Sequence, residues 1–465
     1  MSIFGKKEIR MPHVFSIIII LIVLCGILTY IVPAGVYERI ETDGVTKIDV
    51  DSFHFVDQTP VSPFDWFVAI PQGIQAGASV IAVIFICVAG MSIYTSTGAF
   101  TNCINFFIKK SGKIGTYVLI LALMLYFFLN GGLTGAVDGP VALAPIVIGF
   151  ALAAGYDAMT GLGIVCVCAI CGFSCGPTNP YTVVVAQEIA GLPPFSGTVL
   201  RTACWLTVMA VTFHHILSYA NKVRKDPSKS LVPNITAADI GIVNNDKESL
   251  DTKDKIMVVM LLLTIIVAVT CCLVFKFSLP QVSAIYIISG IIGGIVYGYD
   301  NNQIANIFVE SAKNVFVGAM CIGLARGIQI ILTNGNIIDT IVYYASNALS
   351  VLPAGITAVG MFVFQTVINF FVNSGSGQAA VTMPIMVPLA DTLGITRQTA
   401  VMAFQLGDGL SNLVFPTSGS LFAYLACSKV DYGTFLKFAL PLFLKTCVVG
   451  VVFILIATFT GYGPF

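Results

Sequence analysis

Apolar runs of about 20 residues recur along the chain, beginning with residues 14–32 and 256–275. Each is long enough to cross a bilayer as one helix. Polar residues fall between them in two ways. Some form hydrophilic loops, at 34–70 and 221–255. Others are set inside apolar sequence, in two copies. The first copy reads NGGLTGAVDGP at 130–140 and GPTNP at 176–180; the second reads NSGSGQ at 373–378 and FPTSG at 415–419. The copies keep step. Pro145 to Gly155 and Pro384 to Gly394 are each ten residues apart, and Gly155 to Pro177 and Gly394 to Pro416 are each 22 apart. Backbone that leaves the helix at membrane depth persists only inside protein or beside a watery cavity. Breaks at corresponding positions of two halves point to a transporter's binding site.

These patterns predict an all-α polytopic membrane protein with about nine transmembrane helices plus two re-entrant hairpins. The expected spans are 14–32, 71–95, a broken helix 158–190 interrupted at 176–180, 199–219, 256–275, 280–298, 315–332, a second broken helix 397–427, and 435–459. An amphipathic stretch at 100–108 is expected along the membrane surface. The first hairpin covers 114–154, with arms 114–129 and 140–154 and a tip at 130–139. The second covers 355–392, with arms 355–372 and 379–390, and follows an amphipathic piece on the outer side. Basic residues orient the chain. Lys6, Lys7 and Arg10 place the N-terminus in the cytoplasm, and Lys109, Lys110 and Lys113 mark the same side. Lys222, Arg224, Lys225, Lys229, Lys253 and Lys255 hold 221–255 there too. Were 114–129 a crossing of its own, that loop would fall outside, so the charge rule selects the hairpin. One hairpin then enters from each side. The chain reads as inverted repeats, 1–220 and 256–465, joined by a cytoplasmic linker at 221–255, with the span 256–275 lacking a counterpart. No small-residue cleavage site follows the first apolar run, so an uncleaved helix is expected.

Composition agrees with a lipid solvent. The 465 residues are 57% hydrophobic and 10% charged, with mean hydropathy +0.93, whereas a soluble domain carries about 25% charged residues. A net charge of zero gives no hold on nucleic acid. Cys166, Cys168, Cys171 and Cys175 lie in apolar sequence without His or carboxylate beside them, so they read as small packing residues rather than metal ligands. No HExxH or P-loop occurs, and the GxSxG match GFSCG at 172–176 sits in apolar sequence with no His or carboxylate beside it, which argues against an enzyme. No organic cofactor or resident metal is expected.

Asn179-Pro180 fits a helix N-cap followed by proline at the first helical position. Thr417 or Ser418 is placed to cap the other half-helix. Unpaired N–H groups at helix N-termini suit a carboxylate, and opposed carbonyls with Asn, Ser and Thr oxygens suit Na⁺. Asn130, Thr134, Asp138, Thr178, Asn179 and Asn373 are therefore candidate substrate residues. Charges at membrane depth are functional candidates by default. Asp138 is expected to face substrate or ion, or to cap the returning arm. Asp408 is expected to couple a proton or Na⁺, or to bond to the nearby hairpin. With Asn179 and Asn412 they make the candidate coupling-ion set. Arg326 reads as a helix–helix interface residue. His13, His54, His214 and His215 fall at interfaces or outside.

NSGSGQAAVTMPIMVPLADTLGITRQTAVMAFQLGDGLSNLVFPTSG, at 373–419, resembles the second half of the YfcC-like carriers, relatives of the C4-dicarboxylate anaerobic carriers in the ion transporter superfamily. PHVFSIIIILIVLCGILTYIVPAGVYER resembles the first helix of that family, and GYD…NP…QEIAGLP…FSG its first half. The resemblance covers most of the chain outside 221–255. It implies secondary transport in the bacterial cytoplasmic (inner) membrane by a homodimer, with a transport domain that moves elevator-fashion against a scaffold. It also implies that Ser374, Ser376, Gln378, Asp408, Asn412, Thr417 and Ser418 line the site. One departure matters: family members often carry two consecutive Glu at the first tip, where this chain has TGAVDGP with Asp138 as the only acid. That shifts the expected partner toward a small organic anion or zwitterion. The expected function is secondary active transport of small carboxylate-bearing metabolites (dicarboxylate or amino acid) by cation symport or exchange. A basic amino acid exchanger of the arginine/ornithine type is the alternative, and a channel comes behind it.

Overall fold

Lipid leaves backbone groups only one another as partners, and the apolar runs close into helices accordingly. The computed structural model describes residues 13–42, 45–49, 51–242, 251–273, 275 and 277–463. Helix α1 (Val14–Ile31) leads into two short antiparallel pairs, β1 (Gly35–Val36) with β4 (His54–Phe55) and β2 (Arg39–Thr42) with β3 (Val45–Ile48). These strands, in the polar stretch 34–70, depart from the all-helical expectation. The run expected as one helix at 71–95 is two. Ser62 Oγ accepts from the Asp65 amide at 3.2 Å and Pro63 occupies the first helical turn, so α2 (Pro63–Ala76) starts ahead of the apolar run. Gly77 separates it from α3 (Ala78–Ser96).

Helix α4 (Ala99–Thr134) holds both the amphipathic stretch and the first hairpin arm, kinked at Gly112, where φ is +62°. The chain turns at 135–138 and returns through a 3₁₀ turn (Gly139–Leu143) and α5 (Ala144–Ala153). The expected tip at 130–139 is therefore shorter: Asn130, Gly131 and Gly132 stay helical. These glycines serve close packing. A Cβ on Gly131 would lie 2.2 Å from the Ala169 carbonyl oxygen, and one on Gly132 2.5 Å from the Trp205 ring.

The first broken helix comprises α6 (Ala158–Leu162), a π turn (Gly163–Val167), α7 (Cys168–Cys175), the break, a second π turn (Pro180–Val184) and α8 (Val185–Ile189). Helix α9 (Thr198–Lys225) follows. The linker is folded back rather than a plain join: Asp157, the N-cap of α6, accepts from Tyr219 Oη at 2.5 Å and Ser230 Oγ at 2.7 Å. The second half contains α10 (Thr252–Leu273), α11 (Leu279–Tyr297), α12 (Asn301–Asn334) and α13 (Ile338–Ser350). The second hairpin is α14 (Ala354–Phe371) and α15 (Gly375–Thr392), and its returning arm starts earlier than expected because Ser374 caps it. The second broken helix is α16 (Arg397–Ser411) and α17 (Gly419–Ser428), and α18 (Tyr432–Phe459) closes the order.

Nine helices among the described residues are long and apolar enough to cross a membrane. The number matches the expectation but the membership differs. The first arms of both hairpins, Ile114–Thr134 and Ala354–Phe371, qualify. At about 1.5 Å per residue the former reaches about 31 Å, a full hydrocarbon core.

Candidate substrate site

A cavity of about 1140 Å³ opens between two groups of helices. One wall comes from α3, α10, α11 and α12, through Val80, Ala268, Val282, Tyr286, Ile322, Arg326 and Gln329. The other comes from both hairpin tips and both breaks. Asn130, Thr134, Asp138, Thr178, Asn373, Ser374, Ser376, Asp408, Asn412, Thr417 and Ser418 all line it. The two polar copies, far apart in sequence, thus share one surface.

Local chemistry explains how they meet. The first halves of the two broken helices cross at backbone contact: a Cβ on Gly409 would lie 2.3 Å from Ser174 Cα. Gln405 Nε2 donates to the Gly176 carbonyl at 2.7 Å, joining α16 to the first break. Each tip then leans on the other half's broken helix. Tyr424 Oη donates to the Val137 carbonyl at 2.8 Å, and Ser420 Oγ donates to Asp138 Oδ1. At the second tip a Cβ on Gly375 would meet Thr182 Cγ2 at 2.8 Å and the Tyr181 carbonyl oxygen at 3.2 Å. Asn373 Nδ2 donates to Asn412 Oδ1 at 2.6 Å, and Asn369 Nδ2 donates to the Asp408 carbonyl at 2.7 Å. Asn130 Nδ2 reaches the Ala136 carbonyl at 3.3 Å, and Thr134 Oγ1 donates to the Asn130 carbonyl at 2.6 Å.

Two expected residues do not line the cavity. Asn179 is fully buried and caps the second half-helix, its Oδ1 accepting from the Tyr181 amide at 3.0 Å. Gln378 turns into the hairpin, donating to Gln365 O and Oε1, both at 2.8 Å. It clamps the two arms together. The other caps differ as well. Helix α17 has no side-chain cap bond from Ser418, and Asp138 makes none to the returning arm, because its Oδ1 is engaged by Ser420 across the interface.

Arg326 corrects a further expectation: it faces the cavity rather than a helix–helix seam. Its signal was present, a lone guanidinium in an otherwise apolar segment, which makes it a functional candidate by default. Ser420 and Gln329, also in the lining, carried no such signal.

Asp408 is 1% exposed, and neither carboxylate oxygen has a hydrogen-bond partner among the described residues. Its bond to the second hairpin runs through its backbone carbonyl rather than its side chain. The Thr182 and Thr417 hydroxyls are likewise buried without partners. Cys166, Cys168, Cys171 and Cys175 are free and buried, and no group of three or more potential metal ligands occurs among the described residues.

Long apolar helices wrapped around a cavity walled on one side by paired helix breaks define a multi-pass membrane transporter, not an enzyme. The chain belongs to the C4-dicarboxylate anaerobic carrier family, DcuC, whose profile matches residues 11–459. The match includes the linker. The chain is 30% identical over 497 aligned residues to the Escherichia coli (strain K12) protein named "Putative basic amino acid antiporter YfcC", with 97% of each chain covered. Among solved structures, the YdaH transporter of Alcanivorax borkumensis aligns with 97% of this chain and 100% of its own, at 15% identity and TM-score 0.42. MtrF of Neisseria gonorrhoeae aligns with 98% of this chain and 96% of its own, at 16% identity and TM-score 0.42.

Proposed function

We propose that this transporter carries small carboxylate-bearing metabolites, a dicarboxylate or an amino acid, across the bacterial cytoplasmic membrane by cation symport or exchange. The observation that carries the reading is the make-up of the cavity. Amide and hydroxyl side chains from four tips and breaks form one wall, and a guanidinium stands in the other. Its volume of about 1140 Å³ is on the scale of small-molecule sites, about 300–1,000 Å³. Asp408 is assigned the coupling ion, because a buried carboxylate without a partner calls for a proton or a monovalent cation to neutralise it. The two walls belong to different helix groups, which supports elevator-like movement of the hairpin-bearing group against α3, α10, α11 and α12. The inverted-repeat division, a cytoplasmic N-terminus and a homodimer belong to the same proposal. The E. coli relative's name brings basic amino acids in as a second substrate class.

A thermal-shift panel of dicarboxylates, neutral amino acids and basic amino acids, with and without Na⁺, tests this. A ligand that binds only the folded protein stabilises it by about 2.7 kcal/mol at 100 times its Kd, so at least one carboxylate is expected to raise the melting temperature. No shift across the panel removes the reading. Replacing Asn179 and Asn412 together by Ala is expected to abolish uptake into liposomes while the protein still purifies as wild type does. Asn179 acts through the half-helix it caps, worth about 1 kcal/mol, and Asn412 through the cavity wall it lines, so Asn412→Ala alone is measured beside the pair. Full uptake by the double variant would take Asn412 out of the site and show that uptake does not need the Asn179 cap.

A further inference from the structure

We infer that Arg326 determines specificity: it is a fixed guanidinium on the α12 wall that receives a carboxylate of the substrate held by the tips opposite, an assignment that rests on the carboxylate-carrier reading above. Arg326 is partly buried and faces the cavity. Its side-chain hydrogen bond is a long one, from Nη1 to Gln329 Oε1 at 3.4 Å, within the same helix. Among the described residues it makes no ion pair within 4.0 Å. The acid across from it, Asp138, lies within electrostatic range but is engaged by Ser420. A guanidinium presents five N–H donors in a planar fork that matches a carboxylate. A charge of this kind in a membrane-embedded wall is costly unless paired, and an anionic group entering the cavity supplies the pair.

The position of Arg326 is set from behind. Gly323 and Gly327 flank it and press α12 onto α2, where a Cβ on Gly73 would lie 2.2 Å from the Gly323 carbonyl oxygen and 2.6 Å from the Gly327 nitrogen. Contact at that distance sets the register of α12 against α2. Arg326 therefore stays with α2 while the tips stand on the opposite wall. A substrate lodged between them touches both helix groups, and its carboxylate is read by the group that does not carry the hairpins.

The test compares full-length purified wild type, Arg326→Gln and Arg326→Lys in competition binding. The probes are two acid–amide pairs, succinate against succinamate and L-arginine against L-argininamide, each differing by one carboxylate turned into a carboxamide. For whichever acid the wild type binds, it is expected to prefer acid over amide by about 10- to 100-fold, the worth of a hydrogen bond between charged groups. Arg326→Gln is expected to bring that ratio close to one while keeping the affinity for the amide, and Arg326→Lys to restore part of it. If Arg326→Gln keeps the wild-type ratio, or loses acid and amide equally, the assignment is overturned and the carrier reading stands. If the wild type binds neither acid, the acid–amide pair of whichever panel compound stabilises the protein takes their place, and if no panel compound does, both fall. Should Arg326→Gln fail to purify, Arg326→Lys carries the test, since it lacks the planar fork and an undiminished acid preference overturns the assignment.

Discussion

Asp408→Asn is expected to remove ion-driven accumulation altogether while leaving the protein at least as heat-stable as wild type. The side chain is 1% exposed, with no partner for either oxygen among the described residues. An ionised carboxylate there carries an uncompensated desolvation cost of several kcal/mol, which a proton or monovalent cation offsets when it binds. Asn keeps the shape and drops the charge. Its position also explains how binding would be felt. Asp408 Oδ2 lies 3.5 Å from where a Cβ on Gly375 would sit, and the same point is 2.8 Å from Thr182 Cγ2. The carboxylate thus stands where the second tip, the first broken helix and the second broken helix meet, so neutralising it bears on all three. In liposomes with an imposed Na⁺ or pH gradient, the variant should accumulate no more label than empty liposomes, while exchange between equal pools persists. Accumulation at the wild-type rate, or a clearly lower melting temperature, contradicts this role.

Gly409→Val is expected to be the most damaging substitution for the fold. Its first added carbon would lie 2.3 Å from Ser174 Cα and 2.9 Å from the Ser174 carbonyl oxygen, so the obstacle is backbone and has no rotamer by which to yield. Neither helix has room to retreat. On the far side of α7, a Cβ on Gly172 would meet the Phe128 carbonyl oxygen at 2.1 Å, and on α16 a Cβ on Gly407 would meet Gln365 Cβ at 2.6 Å. Overpacking a tight core costs about 1–3 kcal/mol and sometimes more, and here it would separate the two breaks that share the cavity wall. Purification yield and melting temperature should both collapse. Gly139→Ala is the control, since nothing lies within 4 Å of the position its Cβ would take, and it should melt as wild type does.

The breaks read at 176–180 and 415–419 were legible because proline beside glycine, threonine, serine or asparagine in apolar sequence has few other uses, and their matched spacing is independent of any one residue. What misled was residue type taken without its partner. The glycines of NGG suggested a tip, yet they serve the approach of α4 to Ala169 and Trp205, a contact that local sequence does not encode. Gln378 sits in the tip motif but pairs with Gln365 on the other arm, 13 residues away. Arg326 was visible as a charge, but which face of α12 it occupies depends on α2 and the tips. The strands within 35–55 carry little local signal: they are two to four residues long and lie in a stretch whose polarity reads as a loop.

The central claim is that the shared cavity serves a carrier that binds, turns over and returns, rather than a pore. Counterflow measures this most directly. Liposomes containing the purified protein are loaded with an unlabelled carboxylate from the panel that stabilises it, then diluted into a trace of the same compound labelled. The account predicts a transient overshoot of label inside the liposomes, saturable by external substrate and absent from liposomes without protein. Label that only equilibrates, without overshoot and in proportion to its concentration, would contradict it.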